Sequence, residues 1–265
     1  MTAVWDPVAR FFESAWIIFQ ALFRWFEINT YLATKVVSPV LQLVFFGLLA
    51  TFTGGSTRVA YLVIGNSVVL AGLGGIWAAW TIGEERAAGT LPLLMASPAS
   101  RLGNFLQRGV VHLADSLLTV GVAWAAALLL FHVDLSRADA PALVASVVAA
   151  AISSIGIGLM LGSVSLAFAD VFFLVNLLYY ALLVVAGVNV PVAALPAWLQ
   201  PLSQVLPFTH AIAAAREAVD GATLAGVAPL LLRELGLAVG YLALGYLFLV
   251  QLERVAVRRG SLETT

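Results

Sequence analysis

The chain has 265 residues, 62% of them apolar and 10% charged, with thirteen Lys and Arg against fourteen Asp and Glu, a net charge of −1 and a mean hydropathy of +1.02. An average soluble domain is about 25% charged; so few charges cannot coat a soluble globule, and an integral membrane protein is expected. The near-zero net charge argues against a nucleic-acid partner, and the absence of Cys excludes disulfides, thiolate nucleophiles and Cys-ligated metals.

The N-terminal Met-Thr-Ala-Val-Trp-Asp-Pro has no basic leader before an apolar run, so no cleaved signal peptide is expected. On a helix at about 100° per residue, Asp6, Arg10, Glu13, Gln20, Arg24, Glu27 and Lys35 fall in one narrow stripe. The remaining surface carries Trp5, Phe11, Phe12, Trp16, Phe19, Phe23 and Trp25. That pattern predicts an amphipathic helix over residues 1–35 lying in the headgroup plane, with Asp6–Arg10 and Arg24–Glu27 at pairing distance. A seventh, tilted span is disfavoured, because the charges would have to cross the bilayer core.

A bilayer core of about 30 Å needs roughly 20 apolar residues as helix. Six stretches qualify: Val36–Thr53, Val59–Ile82, Gly109–Phe131, Pro141–Ala169, Val171–Val190 and Pro229–Val250. Asp170 marks a very short turn between the fourth and fifth. Arg10, Arg24, Lys35, Arg86, Arg101, Arg108, Arg254, Arg258 and Arg259 lie on one side, nine positive residues against three (Arg58, Arg137 and Arg216) on the other. That bias places both termini in the cytoplasm. A multi-pass protein of the cell membrane is expected, forming one domain over residues 1–265 with a cytosolic tail at 251–265.

Two connections carry the most information. In the first, residues 83–101, Gly89 is expected to stop the preceding helix and Thr90 to cap a new one, with Pro92 in its first turn. Leu91, Leu94 and Met95 then share one face of a short cytosolic helix that Ser97-Pro98 ends. By residue chemistry alone, a docking helix and a capped surface turn are equally compatible with this stretch. In the second, Pro191, Pro196, Pro201 and Pro207 break any helix, yet Val192, Leu195, Trp198, Leu199 and Leu202 keep the segment apolar. An apolar but broken segment predicts a re-entrant hairpin over residues 191–215 dipping into the outer leaflet, the alternative being an interfacial loop anchored by Trp198. Thr209 to Glu217 returns to helix.

In order along the chain, these features resemble the permeases of type-2 ATP-binding-cassette (ABC) transporters. Ser38-Pro39-Val40-Leu41 with Phe46-Gly47 resembles the start of their first span, and Glu84 to Arg101 their cytosolic Glu, Gly-Thr-Leu, Leu-Leu, Ser-Pro stretch. Gly187 to Pro191, Leu195 to Leu199 and Leu206 to His210 resemble the segment before their last span, and Glu253 to Gly260 their basic tail. Pro92 stands where many relatives have an acidic residue, and Ala186-Gly187 where Ser-Gly is common. The resemblance implies an all-α membrane subunit with an interfacial connecting helix, six spans, a coupling helix at about Leu91–Ala96 and two short re-entrant helices. It also implies an exporter built from two permeases, identical or similar, and two ATPase subunits. ATP and Mg would sit on the ATPases, which would dock on Glu84, Glu85, Arg86, Gly89, Thr90, Leu91, Leu94, Met95, Ser97 and Pro98. The substrate reading is an amphiphilic small molecule, a lipid or a glycan.

The chain has one lysine, Lys35, with no glycine close before it, so it cannot build a phosphate-binding loop and is expected to be neither an ATPase nor any other enzyme. No cofactor or metal is expected in it; the three His form no zinc motif, and no Gly-x-Ser-x-Gly elbow occurs. His112 and Asp115 sit one helical turn apart inside the third span, the one proton-relay candidate for an ion-coupled secondary transporter, although pairing with a neighbouring helix is the favoured reading. Arg233, Glu234, Arg216 and Glu217 are read as paired or interfacial. Ser154, Gly158 and Gly162 form a small-residue row for helix packing, and Gly236 and Gly240 are expected to repeat it in the last span.

Overall fold

The computed structural model describes residues 12–13, 16–17, 20, 28–54, 56–90, 101–164 and 171–259. Among them the chain is all helix and loop. A short α1 (Ile28–Leu32) runs through a π-turn (Ala33–Val37) into α2 (Ser38–Gly54). Three long helices follow, α3 (Ser56–Ala87), α4 (Arg101–Phe131) and α5 (Ala140–Val164). Then come α6 (Val171–Val185), a 3-10 turn (Val192–Ala194), α7 (Gln200–Val205), α8 (Thr209–Val219) and the long α9 (Leu224–Arg259).

Five of these, α2, α3, α4, α5 and α9, are long and apolar enough to cross a membrane. Each coincides with an expected span, but most run further: α3 continues to Ala87 and α4 begins at Arg101. The expected fifth span is cut short. Helix α6 stops at Val185, fifteen residues in, about 22 Å of helix against a core of about 30 Å. The chain bends over residues 186–190 because Gly187 takes φ +78°, a conformation that ends a helix.

Helices α3 and α5 form the centre. Helix α5 packs most extensively on α9 and α3, while α4 and α2 close the other flank of α3. Side-chain size, rather than polarity, sorts inside from outside. Ser67, Ser146, Ser153, Ser154 and Ser163 are buried, while Phe45, Phe52, Leu129, Phe172 and Leu232 face outward. In lipid the outer face needs apolar bulk, and close backbone approach needs small residues. Four of these hydroxyls, Ser67, Ser146, Ser154 and Ser163, bond back to their own helices, as Ser67 does to Val63 O at 2.7 Å and Ser146 to Ala142 O at 2.8 Å.

The small-residue row of α5 packs as expected. A Cβ at Gly158 would run into the Gly75 carbonyl of α3, and Ser154 lies against Gly75. Two residues away, Gly156 abuts the Ala238 carbonyl of α9, so α5 is clamped between two backbones. In α9, by contrast, no described residue of this chain lies near Gly236 or Gly240. The buried stripe of α9 runs through Leu231, Glu234, Ala238, Gly245 and Leu249, and Gly236 and Gly240 fall on the opposite face.

Candidate functional site: two clasps on a broken segment

The prolines of residues 191–207 break the backbone as their spacing requires. Pro191 precedes the 3-10 turn, Pro201 sits in the first turn of α7, and α7 lasts six residues. Each break leaves backbone groups without a helical partner, and in an apolar protein these must be satisfied by side chains. Two charged side chains do this.

The first is Arg216, in the last turn of α8. Its guanidinium donates to Gly187 O at 2.8 Å, Val188 O at 2.8 Å and Tyr61 O at 3.1 Å. It also lies 3.3 Å from the centre of the Tyr61 ring, and the Tyr61 hydroxyl donates to Gly187 O at 3.1 Å. The carbonyls just past the negative end of α6 thus meet a cation. Gly65 of α3 makes room, because a Cβ there would sit 2.5 Å from Val188 O and from Arg216 Nη2. Beside it, Asn66 Nδ2 donates to Asn189 Oδ1 at 2.8 Å and Gln42 Nε2 to Asn66 Oδ1 at 3.3 Å. Amides thus join α2 and α3 to the Gly187 bend.

The second charge is Glu234 of α9, wholly buried. Its Oε1 accepts from Phe208 N–H at 2.8 Å and its Oε2 from Ala211 N–H at 3.3 Å, at the N-terminus of α8. A carboxylate at a helix N-terminus meets unbonded amides and the positive end of the dipole. Phe208 takes φ +75°, rare for a residue with a side chain, and its buried ring packs on Gly72 of α3. Two turns along α9, Tyr241 donates its hydroxyl to Val205 O at 2.6 Å, at the end of α7. One face of α9 therefore holds both sides of the 206–208 break.

The family profile of ABC-2 type transporters matches residues 14–219, most of the chain. The chain belongs to that family. A search of curated proteins finds no match. The ABC-2 type match ends at the last residue of α8, so Arg216 lies inside it, while Glu234 and Tyr241 come from α9 beyond it.

In this ABC-2 type transporter subunit, the expected ATPase-coupling residues occupy the end of α3 and the connection from α3 to α4. Glu84, Glu85 and Arg86 are in the last turns of α3, and Gly89, at φ +68°, ends that helix as anticipated. Thr90 is exposed and non-helical; Leu91, Leu94, Met95, Ser97 and Pro98 lie outside the described residues, as do Asp170 and the Asp6–Arg10 and Arg24–Glu27 pairs. Among the hairpin residues, Pro191, Pro196, Trp198 and Pro201 are exposed and Pro207 is buried.

Asp115 is in an ion pair with Lys35, which the π-turn brings from the foot of α2, and His112 Nε2 is buried without a hydrogen-bond partner. The sequence groups Arg216 with Glu217 and Arg233 with Glu234 as paired or interfacial. Glu217 and Arg233 are exposed, whereas Arg216 and Glu234 are held by backbone. The available signal was an ionisable residue inside an otherwise apolar run, which in a membrane protein marks a position with a specific partner. At one end of the bundle a cavity of about 840 Å³ is lined by Val59, Leu130, His132, Asp134, Arg137 and Asp220 among others. The Ser136 N–H beside Asp134 holds that exposed carboxylate below its usual range.

Proposed function

We propose that this membrane subunit of an ABC transporter is the permease of an exporter, driven by ATP hydrolysis on separate ATPase subunits. The ABC-2 family match over residues 14–219 carries the reading. The chain's one lysine supports it, being in an ion pair with Asp115 and in no glycine-rich loop. In the full assembly two permeases, identical or similar, flank the substrate route and two ATPases dock beneath them. Docking uses Leu91–Ser97 with Glu84, Glu85 and Arg86, and closure of the ATPases tilts the permeases through that contact. Both termini face the cytoplasm of the cell membrane, by the distribution of positive residues.

In this reading α6 and its bent extension make the sixth crossing, and residues 191–215 re-enter the outer leaflet. The depth of Glu234 supports that, about 15 Å along α9 from Leu224. The substrate class is an amphiphile, lipid or glycan, since few charges lie in the spans.

The test is gentle purification of the tagged protein from its native membrane. A soluble subunit carrying a phosphate-binding loop should co-purify in one-to-one ratio and hydrolyse ATP, and Leu94→Asp should remove it while leaving the permease inserted. A lone, stable permease, or full ATPase binding by Leu94→Asp, would overturn the reading.

A further inference from the structure

We propose that residues 189–205 form a hinged strap, pivoting on the two charge clasps and latched to the last span by Tyr241. Its part in the ATP cycle rests on the function proposed above; its mechanics do not.

The strap is tied mainly to itself. Ala194 N–H bonds Pro191 O at 2.9 Å, Leu199 N–H bonds Pro196 O at 2.8 Å, and Gln200 Nε2 bonds Leu195 O at 3.0 Å. Such a unit moves as one piece, because its turns close on their own carbonyls. Its outer surface is exposed through Ala193, Pro196, Trp198, Leu202 and Val205, and α7 packs chiefly on α6 and α8.

Both ends are fixed in the core. At one, Gly187 supplies the left-handed bend and Arg216 holds its carbonyl, with Asn189 bonded to Asn66. At the other, Phe208 supplies a second left-handed bend and Glu234 holds its amide. Hinges are a few residues at the ends of elements that absorb backbone rotation, and these two bends have that position. A non-glycine residue at φ +75° persists only where its surroundings over-determine it, so Glu234 is a positioning residue for this pivot.

Beyond Asn189, which is bonded to Asn66 and Leu183 at the first hinge, two side-chain bonds leave the strap among the described residues. His210 Nε2 lies 3.1 Å from Gln204 O, and the Tyr241 hydroxyl donates to Val205 O. The first comes from α8, next to the hinge itself. The second crosses to α9, so it is the bond that ties the strap to the last span.

A chain without native Cys allows a direct test. Ser203 of α7 and Ser146 of α5 are both wholly buried, and Ser→Cys is nearly isosteric. Each is made alone, in lipid nanodiscs, and its rate of modification by a membrane-impermeant maleimide is measured. Adding Tyr241→Phe should raise labelling at Ser203→Cys about fivefold, the factor for losing one neutral hydrogen bond, and leave Ser146→Cys unchanged. Equal acceleration at both positions means general loosening, and no change at Ser203→Cys means Tyr241 holds nothing; either overturns the latch.

The second arm uses the complex with its ATPases. Labelling of Ser203→Cys should differ between the nucleotide-free state and the state trapped with ATP and vanadate. Identical rates would overturn a role for the strap in the cycle. If no ATPase co-purifies, the exporter reading fails while the Tyr241→Phe comparison still decides the latch.

Discussion

Arg216→Met is the most informative single substitution, because two effects of opposite sign compete in it. The change keeps most of the apolar stem and deletes the guanidinium. Desolvating that guanidinium costs several kcal/mol in the native protein, and its removal returns this. Against that, Val188 O loses the Arg216 donor, Gly187 O keeps only the Tyr61 hydroxyl, and the Tyr61 ring loses the cation above it. A buried carbonyl left unbonded costs about 1–3 kcal/mol and a desolvated cation–ring contact about 2 kcal/mol. Replacing a buried charge by an apolar group is neutral only when its partners are replaced as well, and here the partners are backbone. The losses sum to about 3–5 kcal/mol, and because Arg216 is only partly shielded from solvent the return is smaller, so the loss wins by about 1–2 kcal/mol, which for a chain of this size lowers the Tm by roughly 2–6 °C. Heating the purified protein in detergent while following the fluorescence of its seven Trp measures this. Arg216→Lys should fall between, since one ammonium cannot reproduce a fork over several oxygens. Tyr61→Phe together with Arg216→Met should cost more than the two apart, as each donor covers for the other at Gly187 O. A Tm for Arg216→Met within about 1 °C of the parent would refute the reasoning.

Three further outcomes are expected. Gly158→Ala should lower the Tm by several degrees, because its Cβ meets the Gly75 backbone, whereas Gly236→Ala should raise or preserve it, as no described residue lies near that site and Ala is the better helix former; the reverse order would place the packing face of α9 wrongly. Lys35→Met should cost about 1–3 kcal/mol, less than for a fully buried pair since the Lys35 side chain keeps 31% exposure, and the exchange Lys35→Asp with Asp115→Lys should recover part of it; no recovery would mean the two charges act separately. Leu94→Asp should release the ATPase with the Tm of the permease unchanged, and a Tm loss would instead make Leu94 part of the permease core.

The long helices were legible in the sequence because a continuous apolar run has few other solutions, and five of them stand where hydropathy puts them. Gly89 and the clustered prolines were legible for a similar reason: their backbone limits act locally, whatever surrounds them. The end of α6 was not. Val185 and Val190 belong to one apolar run, and the bend between them depends on Arg216, about thirty residues further on, donating to the freed carbonyls. The packing face of α9 was hidden because in lipid both faces of a helix are apolar, so small residues occur on either side, and only the neighbouring helix decides which row is used. Glu234 was visible as an ionisable residue out of place, but its partners are amides of Phe208 and Ala211, and backbone leaves no trace in composition.

The two clasps also explain how α8 is held buried while carrying a charge. It spans about 16 Å, and most of its residues are shielded by α3, α5 and α9. Glu234 meets the positive end of its dipole, and its own Arg216 stands in the last turn, at the negative end. The two charges are opposite, so together they cancel, and each is satisfied by backbone rather than by the other. A direct Arg–Glu pair would have left both breaks unbonded, at Gly187 and at Phe208. Splitting the pair places one charge at each break, and the helix between them becomes the fixed element against which the strap can turn.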